Sequence, residues 1–468
     1  MRDRIPGLVT ILLLTVALHG QEAPRPDWAR IEDETIRHFQ ALVRIDTSDP
    51  PGNEQPAADY LKQLFEKEGI PVQTFTLEPN RTNVVARLKG NGRKRPILIM
   101  GHLDVVNVDP SKWTHPPFSA TRDGGYVYGR GTVDDKDNVT AGVMILLMLK
   151  RMNVPLDRDV IFLAEAGEEG STRIGIEFMV NQHFDAIDAE YCLAETGVVA
   201  REGGVVKYAT IQANEKIPRA VELTARGISG HASVPLQTNA LLHLGAALER
   251  LGEWRPPVRL NDTTRAYFTR LAQITNGEEA ARYRDVLIPA KAASVDEYFR
   301  KSDPSKAALL HATATPTMIS AGYRINVIPS EAKATVDVRT LPDDNLDELI
   351  ASMRKAINDP TVSVEWVPRG TRPPGATRLD TEAFKVLEAA ITKNYSTATL
   401  PIMSTGATDM AFVRGKGVQC YGIGPAIDQE DGPKGFGSHS DQERILESEL
   451  HRFVRFNWDV VSDLARAR

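Results

Sequence analysis

Cysteine is scarce in this sequence: its 468 residues include only Cys192 and Cys420. Two cysteines exclude a disulfide framework, and without a CxxC pair the usual thiolate signature of a zinc-binding domain is missing. Both cysteines lie in apolar runs typical of strands, which favours a role as small buried hydrophobic side chains. A disulfide between them stays open, because an exported chain meets oxidising conditions.

An excess of positive charge is lacking too. Lysine and arginine number 56 against 62 aspartates and glutamates, which gives a net charge of −6 at pH 7. A chain without a basic surplus is not expected to bind nucleic acid. Internal repeats and low-complexity segments are also lacking. The length and a hydrophobic content of 42% therefore predict two ordinary globular domains with sizeable cores.

An apolar run long enough to cross a bilayer is missing near the N-terminus. Residues 8–18 are apolar and follow Arg2 and Arg4, but they are too few to span a membrane. The pattern predicts a signal peptide over residues 1–20, and hence a secreted or periplasmic protein without a stable membrane span after cleavage. An uncleaved membrane anchor is the alternative.

Four short apolar runs carry the fold prediction. Residues 97–100, 160–164 and 191–194 are each continuously apolar, and residues 418–423 repeat the pattern with Gln419 as the exception, which is typical of strands buried on both faces of a parallel sheet. Helical segments separate several of these runs. The sequence therefore predicts an α/β fold, with a mixed, mainly parallel sheet flanked by helices.

A second domain is predicted from about residue 217, where the pattern changes. Strands of alternating polarity and amphipathic helices follow in the order strand–helix–strands–helix–strand, which predicts a ferredoxin-like α+β domain over residues 217–369. A polar, largely helical insertion of about residues 261–311 interrupts it. This domain is inserted into the first, whose two parts are residues 21–216 and 370–468.

The segment GRGTVDDKDN, residues 129–138, stands at the start of a long apolar helix. Its acids Asp134 and Asp135 would lie at the helix N-terminus, where the helix dipole favours carboxylates. Taken alone, the pair is explained best as a helix cap. Metal binding becomes the better explanation because acids and histidines also follow the predicted strands.

Polar side chains follow the apolar strands at the points where the strands end. Ligands bind beyond the carboxyl ends of strands in open α/β sheets, so these side chains are expected in one cleft. So many acids would repel one another without bound cations. Imidazole and carboxylate ligands suit catalytic zinc, with manganese or cobalt as alternatives, and their number suggests two ions. The residues are His102, Asp104, Glu168, Glu169, Glu195 and His439.

Six motifs occur in a fixed order: GHLDVV, GRGTVDDK, a Gly-Glu-Glu-Gly-Ser run, LAETG, GISGHASVP and GSHSDQER. Together they resemble the di-zinc exopeptidase and deacylase family of glutamate carboxypeptidase, succinyl-diaminopimelate desuccinylase, acetylornithine deacetylase and aminoacylase. The resemblance covers nearly the whole mature chain. It implies a zinc exopeptidase-like fold whose inserted domain acts as a lid and, in a homodimer, as the dimerisation surface.

The resemblance implies a set of metal ligands. Asp134 would bridge two zinc ions. His102 and Glu195 would complete the ligand shell of one ion, and Glu169 and His439 that of the other.

The resemblance also implies the remaining roles. Asp104 would orient the His102 ring, and Glu168 would act as general base and acid. His231 would stabilise the oxyanion, in dimeric relatives from the partner subunit. The substrate and its free carboxylate would be bound by Asn326, Arg339 and the loop at Gly406, and the peptide between Asp134 and Asp135 would be cis.

The sequence departs from the family pattern at few positions. Asp137 and Asn138 stand where the family usually has small residues, and Asp137 is predicted to cap the helix that begins there. Gln442 stands where the last motif often has an aspartate, outside the ligand shell. Glu195, rather than an aspartate, favours amide deacylases within the family.

These observations predict an exported di-zinc hydrolase that cleaves an amide or peptide bond next to a free carboxylate. A carboxypeptidase, a dipeptidase and an N-acyl-amino-acid deacylase all fit, with a small peptide or N-acyl amino acid as substrate. One alternative is a non-catalytic, metal-containing binding protein, which is disfavoured because neither Glu168 nor a ligand is missing. The other is an aminopeptidase, which is disfavoured because Asn326 and Arg339 suit a carboxylate.

Overall fold

The computed structural model describes residues 26–368, 370 and 372–467. The predicted signal peptide lies outside these residues and stays a prediction. Among the described residues, no helix is both long and apolar enough to cross a membrane.

The helices and strands of the described residues are numbered in chain order. The helices are α1 Trp28–Val43, α2 Gln55–Lys67, α3 Lys136–Arg151, α4 Ile176–Gln182, α5 Phe184–Ile187, α6 Ala240–Gly252, α7 Asp262–Ile274, α8 Gly277–Asp285, α9 Pro289–Ser302, α10 Pro304–Ala308, α11 Leu346–Ile357, α12 Glu382–Tyr395, α13 Met410–Arg414 and α14 Glu447–Ala465. The strands are β1 Ser48–Asp49, β2 Val72–Glu78, β3 Arg81–Leu88, β4 Ile97–His102, β5 Val105–Val106, β6 Thr121–Asp123, β7 Tyr126–Tyr128, β8 Val160–Glu165, β9 Tyr191–Ala194, β10 Val199–Glu202, β11 Val205–Glu215, β12 Ile217–Arg226, β13 Gly230–His231, β14 Thr313–Ala321, β15 Val327–Ile328, β16 Glu331–Thr340, β17 Val362–Trp366, β18 Thr399–Ser404, β19 Gln419–Gly422, β20 Ala426–Asp428 and β21 Arg444–Leu446.

The larger sheet has ten strands in the order β2-β3-β8-β4-β9-β19-β11-β10-β20, with β18 paired to β11. Its central strands β8, β4, β9 and β19 run parallel, whereas β2, β3 and β8 pair antiparallel. Strands β4, β8 and β9 are buried at every position, as their continuous apolar runs predict. The predicted mixed, mainly parallel sheet is therefore confirmed. Cys192 and Cys420 lie side by side on β9 and β19, buried and unpaired as free thiols.

Helix α3 is the central helix of this sheet's core. It is buried at every position from Lys136 to Leu149, and its apolar side chains pack with those of β3, β4 and β8. A Cβ atom at Gly142 would lie 2.6 Å from the Phe162 ring, so glycine is what lets the helix approach the sheet so closely. This packing fixes the helix N-terminus, and with it Asp134 and Asp135, at the carboxyl end of the strands.

The smaller sheet has four antiparallel strands in the order β14-β16-β12-β17. Helices α6 and α11 pack on it through a separate hydrophobic core that includes Val221, Leu244 and Met353. In chain order these elements run strand–helix–strand–strand–helix–strand, which is the predicted ferredoxin-like arrangement. The domain boundaries at residues 217 and 369 remain predictions.

The insertion predicted at about residues 261–311 contains helices α7, α8, α9 and α10. Its core around Phe268 and Phe299 includes Leu400 of β18 in the larger sheet. Arg270 of α7 donates to the main-chain carbonyl of Thr399 at 3.0 Å. The insertion therefore packs against β18, the strand that leads into the loop at Gly406.

Candidate metal centre

His102 is the last residue of β4, opposite Glu165 of the neighbouring parallel strand β8. Its ring is buried, and Nε2 lies 3.1 Å from Asp134 Oδ1. Burial opposes protonation of the ring, but the carboxylates of Asp134, Asp135 and Asp104 outweigh it and raise the pKa of His102 well above its usual value. The His102 ring is therefore surrounded by three carboxylates.

Two groups of three side chains are close enough to hold metal ions, with ligand atoms within 4.8 Å of one another. They are His102, Asp134 and Glu195, and Asp134, Glu169 and His439. These are the five residues predicted as ligands. Asp134 belongs to both groups, because its Oδ1 faces His102 while its Oδ2 lies 3.1 Å from His439 Nε2. One carboxylate therefore faces both groups, one oxygen to each.

The chemistry of this donor set fits two divalent cations. Hydrogen bonds to Asp134 and Glu169 raise the pKa of His439 to about 10. Burial and the neighbouring charge of Glu168 raise the pKa of Glu195 well above its usual value. Carboxylates are thus crowded together and partly neutralised by histidines, as expected where cations would supply the missing positive charge. Imidazole and carboxylate donors without thiolate suit zinc, manganese or cobalt.

A third acidic group, formed by Asp49, Glu54 and Asp104, also meets the distance criterion for metal binding. Arg81 already supplies a cation there, since its Nε lies 2.6 Å from Glu54 Oε2 and its Nη2 lies 2.6 Å from Asp49 Oδ2. This group is a buried ion-pair cluster rather than a second metal centre.

Asp104 lies beside the His102 ring, and its closest contact with the ring is through its main chain. His102 Nδ1 lies 3.0 Å from the main-chain carbonyl oxygen of Asp104, whereas the Asp104 carboxylate is 3.8 Å away. That carboxylate instead accepts hydrogen bonds from the main-chain N–H groups of Glu168 at 3.1 Å and Glu169 at 2.9 Å. Asp104 therefore orients the ring through its backbone, and its side chain holds the loop that carries Glu168.

Glu168 lies beside an arginine that the sequence motifs do not indicate. Arg372 Nη2 donates to Glu168 Oε1 at 3.3 Å, and Arg372 Nη1 donates to Asp409 Oδ1 at 2.8 Å. Burial and the Asp409 charge raise the pKa of Glu168 well above its usual value, although His102 and Arg372 oppose this. Arg372 lies in the proline-rich segment between the two domains, and nothing in its local spacing indicates that it folds back to Glu168.

The N-terminus of α3 has no side-chain cap. The Asp134–Asp135 peptide is cis. Asp135 Oδ2 accepts from the main-chain N–H of His102 at 3.1 Å, and its Oδ1 accepts from Asn138 Nδ2 at 2.6 Å, so its side chain supports a ligand residue. The predicted cap by Asp137 is wrong, because neither carboxylate oxygen of that residue has a hydrogen-bond partner.

The predicted residues of the inserted domain lie apart from these ligands. His231 is exposed, and its Nδ1 lies 2.7 Å from Ser233 Oγ. The carbonyl of exposed Asn326 accepts from the Ala232 N–H at 3.1 Å, and Arg339 Nε donates to Asp337 Oδ1 at 2.8 Å. No hydrogen bond or ion pair among the described residues joins these three to the metal ligands.

The loop at Gly406 reaches the site indirectly. The Gly406 N–H donates to Ser404 Oγ at 3.0 Å, just after β18. Three residues further on, Asp409 contacts Arg372, which contacts Glu168. The loop is thus connected to the proposed general base through one arginine.

The fold and the ligand geometry define a metal-dependent hydrolase, and comparison with known proteins identifies its family. The profile described as "Peptidase family M20/M25/M40" matches residues 98–462. The chain therefore belongs to this family, as the motifs predicted.

Several curated relatives are similar along much of the chain. A probable carboxypeptidase S-like 2 of Dictyostelium discoideum is 28% identical over 310 residues, which are 64% of this chain and 59% of that protein. A probable succinyl-diaminopimelate desuccinylase of Staphylococcus aureus (strain Mu50 / ATCC 700699) is 29% identical over 334 residues, 70% of this chain and 74% of that protein. The human N-fatty-acyl-amino acid synthase/hydrolase PM20D1 is 27% identical over 388 residues, 79% of this chain and 74% of that protein.

Solved structures agree with the fold. The M20 family metallo-carboxypeptidase Sso-CP2 from Sulfolobus solfataricus superposes with a TM-score of 0.69 at 20% identity, covering 92% of this chain and 98% of that one. Human carnosine dipeptidase 1 gives a TM-score of 0.64 at 16% identity, covering 94% and 100%. At these identities the likeness supports the fold and leaves the substrate open.

Proposed function

We propose that this protein is a di-zinc hydrolase that cleaves an amide or peptide bond next to a free carboxylate. The observation that carries the proposal is Asp134, whose two oxygens face the histidines of two separate ligand groups. A carboxylate shared in this way is the usual bridge of a two-metal hydrolytic site. Manganese or cobalt would suit the same ligands.

The residues around Glu168 support a role as general base and acid. When bound, divalent ions would lower the pKa of water in the site and neutralise the crowded carboxylates. Glu168 would take a proton from the attacking water and pass it to the leaving amine. Asp104 holds the main chain of Glu168 and Arg372 holds its carboxylate, which favours a fixed geometry for both proton transfers.

The inserted domain would supply the remaining groups. His231 would donate a hydrogen bond to the oxyanion, while Asn326, Arg339 and the loop at Gly406 would bind the free carboxylate of the substrate. Arg339 offers a planar fork for two hydrogen bonds, and its pairing with Asp337 holds it in the sheet. These residues would act on domain closure, or in a dimer from the partner subunit.

We also propose that the inserted domain forms a homodimer. The edge strand β14 and the segments near His231 expose many large apolar side chains, which is typical of an interface. They are Ile228, Val234, Leu241, Leu242, Met318, Ile319, Tyr323 and Ile325. A second copy would bury them; sedimentation at micromolar concentration as a monomer would contradict the proposal.

Export by residues 1–20 is part of the proposal. It rests on the short apolar run behind two arginines. Cell fractionation with N-terminal sequencing of the exported form should find a mature chain that begins near Gln21; a full-length chain in the membrane fraction would favour the uncleaved anchor.

The first experiment is free amine release by the zinc-loaded protein. Matched N-acyl amino acids, dipeptides and their C-terminal amides would be compared, with Glu168→Ala as the control. Turnover of the free-carboxylate compounds alone, lost in the variant, would support the proposal. Equal turnover of the amides would contradict carboxylate recognition by Arg339, and turnover of no compound by metal-loaded protein would favour the binding-protein alternative.

A further inference from the structure

His439 reaches the metal site on a loop, residues 429–443, which connects β20 to β21 and is termed the His439 loop. Its ring is half exposed, whereas the ring of His102 is buried at the end of β4. Cβ atoms at Gly432 and Gly435 of the loop would have no neighbour within 4 Å, so little packs against the chain there. The glycine-rich part of the loop therefore does little to fix the position of the ligand.

A cavity of about 480 Å³ lies between the His439 loop and the start of α3. Its lining includes residues 431–432 and 436–438 of the loop, and residues 134–135 and 137–138 at the helix start. His439 itself has a φ of 59°, in the left-handed region that residues with a Cβ atom seldom adopt. Such a backbone persists where its surroundings hold it in place. The loop therefore needs a firm attachment on another side.

Arg444, the first residue of β21, provides this attachment. Its Nε and Nη2 donate to the two carboxylate oxygens of Asp431 at 3.1 and 2.6 Å. Its main-chain N–H donates to the carbonyl oxygen of Phe436 at 3.1 Å. Among the described residues, no other residue outside 428–440 forms a hydrogen bond with residues 431–438. A single arginine therefore fastens the middle of the loop.

The guanidinium group of Arg444 also packs against aromatic rings. Its central carbon lies 3.9 Å from the ring centroid of Tyr126 and 4.0 Å from that of Phe436, and its Nη1 donates to Tyr128 Oη at 3.0 Å. The two tyrosines belong to β7, which pairs with β21. A planar, delocalised cation can bind a carboxylate with two hydrogen bonds and stack on rings at the same time, which lysine cannot do. Arg444 thus joins the loop to β7.

We propose that Arg444 is a positioning residue, which holds the His439 loop and thereby places His439 at the metal site. The proposal rests on the proposed function, because it requires the ligand group that contains Glu169 and His439 to hold an ion. The group that contains His102 takes no residue from the loop. Only one of the two ions should therefore depend on Arg444.

The test measures zinc affinity, by titrating metal-free protein with zinc against a competing chelator. Arg444→Met should weaken one of the two zinc equivalents about a hundredfold, and Arg444→Lys about tenfold, because partners that orient a ligand contribute this much to metal affinity. The other equivalent should bind as in the wild type. Arg452→Met is the matched control and should keep both. Arg452 lies on α14, stacks over Tyr395 at 4.5 Å and donates to the Asn394 carbonyl oxygen at 2.8 Å.

A double variant tests whether Arg444 acts through His439. In His439→Ala one zinc equivalent is already weakened, so the addition of Arg444→Met should cause no further loss of zinc affinity. A general structural role would instead weaken both equivalents in Arg444→Met, or add to the effect of His439→Ala. Either result would overturn the proposal.

Hydrogen exchange gives a readout that needs neither metal nor activity. In the metal-free protein, peptides that cover residues 431–438 should exchange about tenfold faster in Arg444→Met than in the wild type, while peptides that cover β4 should not change. The same comparison is made with Arg444→Lys, which keeps the charge if Arg444→Met does not fold. Loop exchange as slow as in the wild type in the folded variants would contradict the attachment.

The outcomes separate the two claims. Two zinc equivalents in the wild type, both retained with unchanged affinity in Arg444→Met and Arg444→Lys, would overturn the role of Arg444 alone. Fewer than two equivalents in the wild type would reject the two-metal function itself, and the role of Arg444 with it.

Discussion

The two parts of the candidate site differ in how completely they are assembled. In the larger sheet, His102, Asp134 and Glu195 converge at buried strand ends, and a single helix, α3, fixes Asp134. In the inserted domain, His231 and Asn326 are exposed and bond only to their own neighbourhood. The contrast teaches that the candidate metal ligands all come from the larger domain and are already assembled, whereas the groups proposed to act on the substrate would reach it only through a movement or from a second copy.

The largest effect is expected from Asp134, which belongs to both ligand groups. Asp134→Asn should reduce bound zinc from two equivalents to one or fewer and lower kcat/KM by roughly a thousandfold or more. Metal analysis of the purified protein measures the first effect. Asp49→Asn, in the acidic group already paired with Arg81, is the control and should keep both ions. Equal metal loss in both variants would contradict the assignment of the Asp49 group as an ion-pair cluster that holds no metal.

His231 tests the exposed part of the site. His231→Ala should lower kcat about a hundredfold with both zinc ions retained, because it removes one oxyanion donor. If His231 acts across a dimer, mixing the impaired His231→Ala with the inactive Glu168→Ala should raise activity well above that of either variant, since a mixed dimer contains one intact site. Activity that returns in the mixture supports the crossing arrangement; activity that stays absent while mixed dimers form assigns His231 to its own subunit.

Arg372 lies in the segment between the two domains, and its substitution should lower kcat less than that of His231. Arg372→Lys keeps the charge but loses one of the two hydrogen bonds, to Glu168 or Asp409. We expect kcat to fall about tenfold with KM nearly unchanged, because Glu168 would be held less firmly. Arg378→Lys, an exposed arginine nearby in the chain that pairs with Asp380, is the control. A rise in KM alone would indicate substrate binding instead.

Lys216, at the connection between the two sheets, is expected to affect stability and to have the smallest effect on activity. Burial lowers its pKa to about 7, although Asp344 opposes this. Between pH 7 and the ordinary value of 10.5 the unfolded chain holds a proton that the folded chain lacks, so stability rises with pH in this window. The gain is on the order of a few kcal/mol.

Thermal unfolding measured at several pH values checks this rise of stability with pH. Lys216→Met should flatten it between pH 7 and pH 10, whereas Lys207→Met, at an exposed position, should not. Parallel slopes in wild type and Lys216→Met would show that Lys216 keeps its ordinary pKa in the folded protein.

Local sequence patterns predicted the central strands and the cleft at their ends. Continuous apolar runs identified the strands, and the polar residues behind them marked the cleft, because parallel strands end at one edge of a sheet. The choice of individual metal ligands among those residues came from the family resemblance. Such local patterns could not predict contacts between distant segments. Arg372 reaches Glu168 across 204 residues of sequence. The spacing of His102 and Asp104 also could not show that the closest contact between them is made by the Asp104 main-chain carbonyl. The wrong cap at Asp137 has the same origin, since side-chain direction at a helix start depends on the packing around it.

The strand order also determines when the catalytic sheet can be completed. Strand β19, near the C-terminus, lies between β9 and β11, which precede it by about two hundred residues and by the entire inserted domain. The sheet therefore cannot close during synthesis until about the last tenth of the chain emerges, and His439 comes later still. Such distant pairings make folding slow and leave strand edges open to aggregation meanwhile. On refolding, the far-UV circular dichroism signal should return well before zinc binding does. Activity should return last.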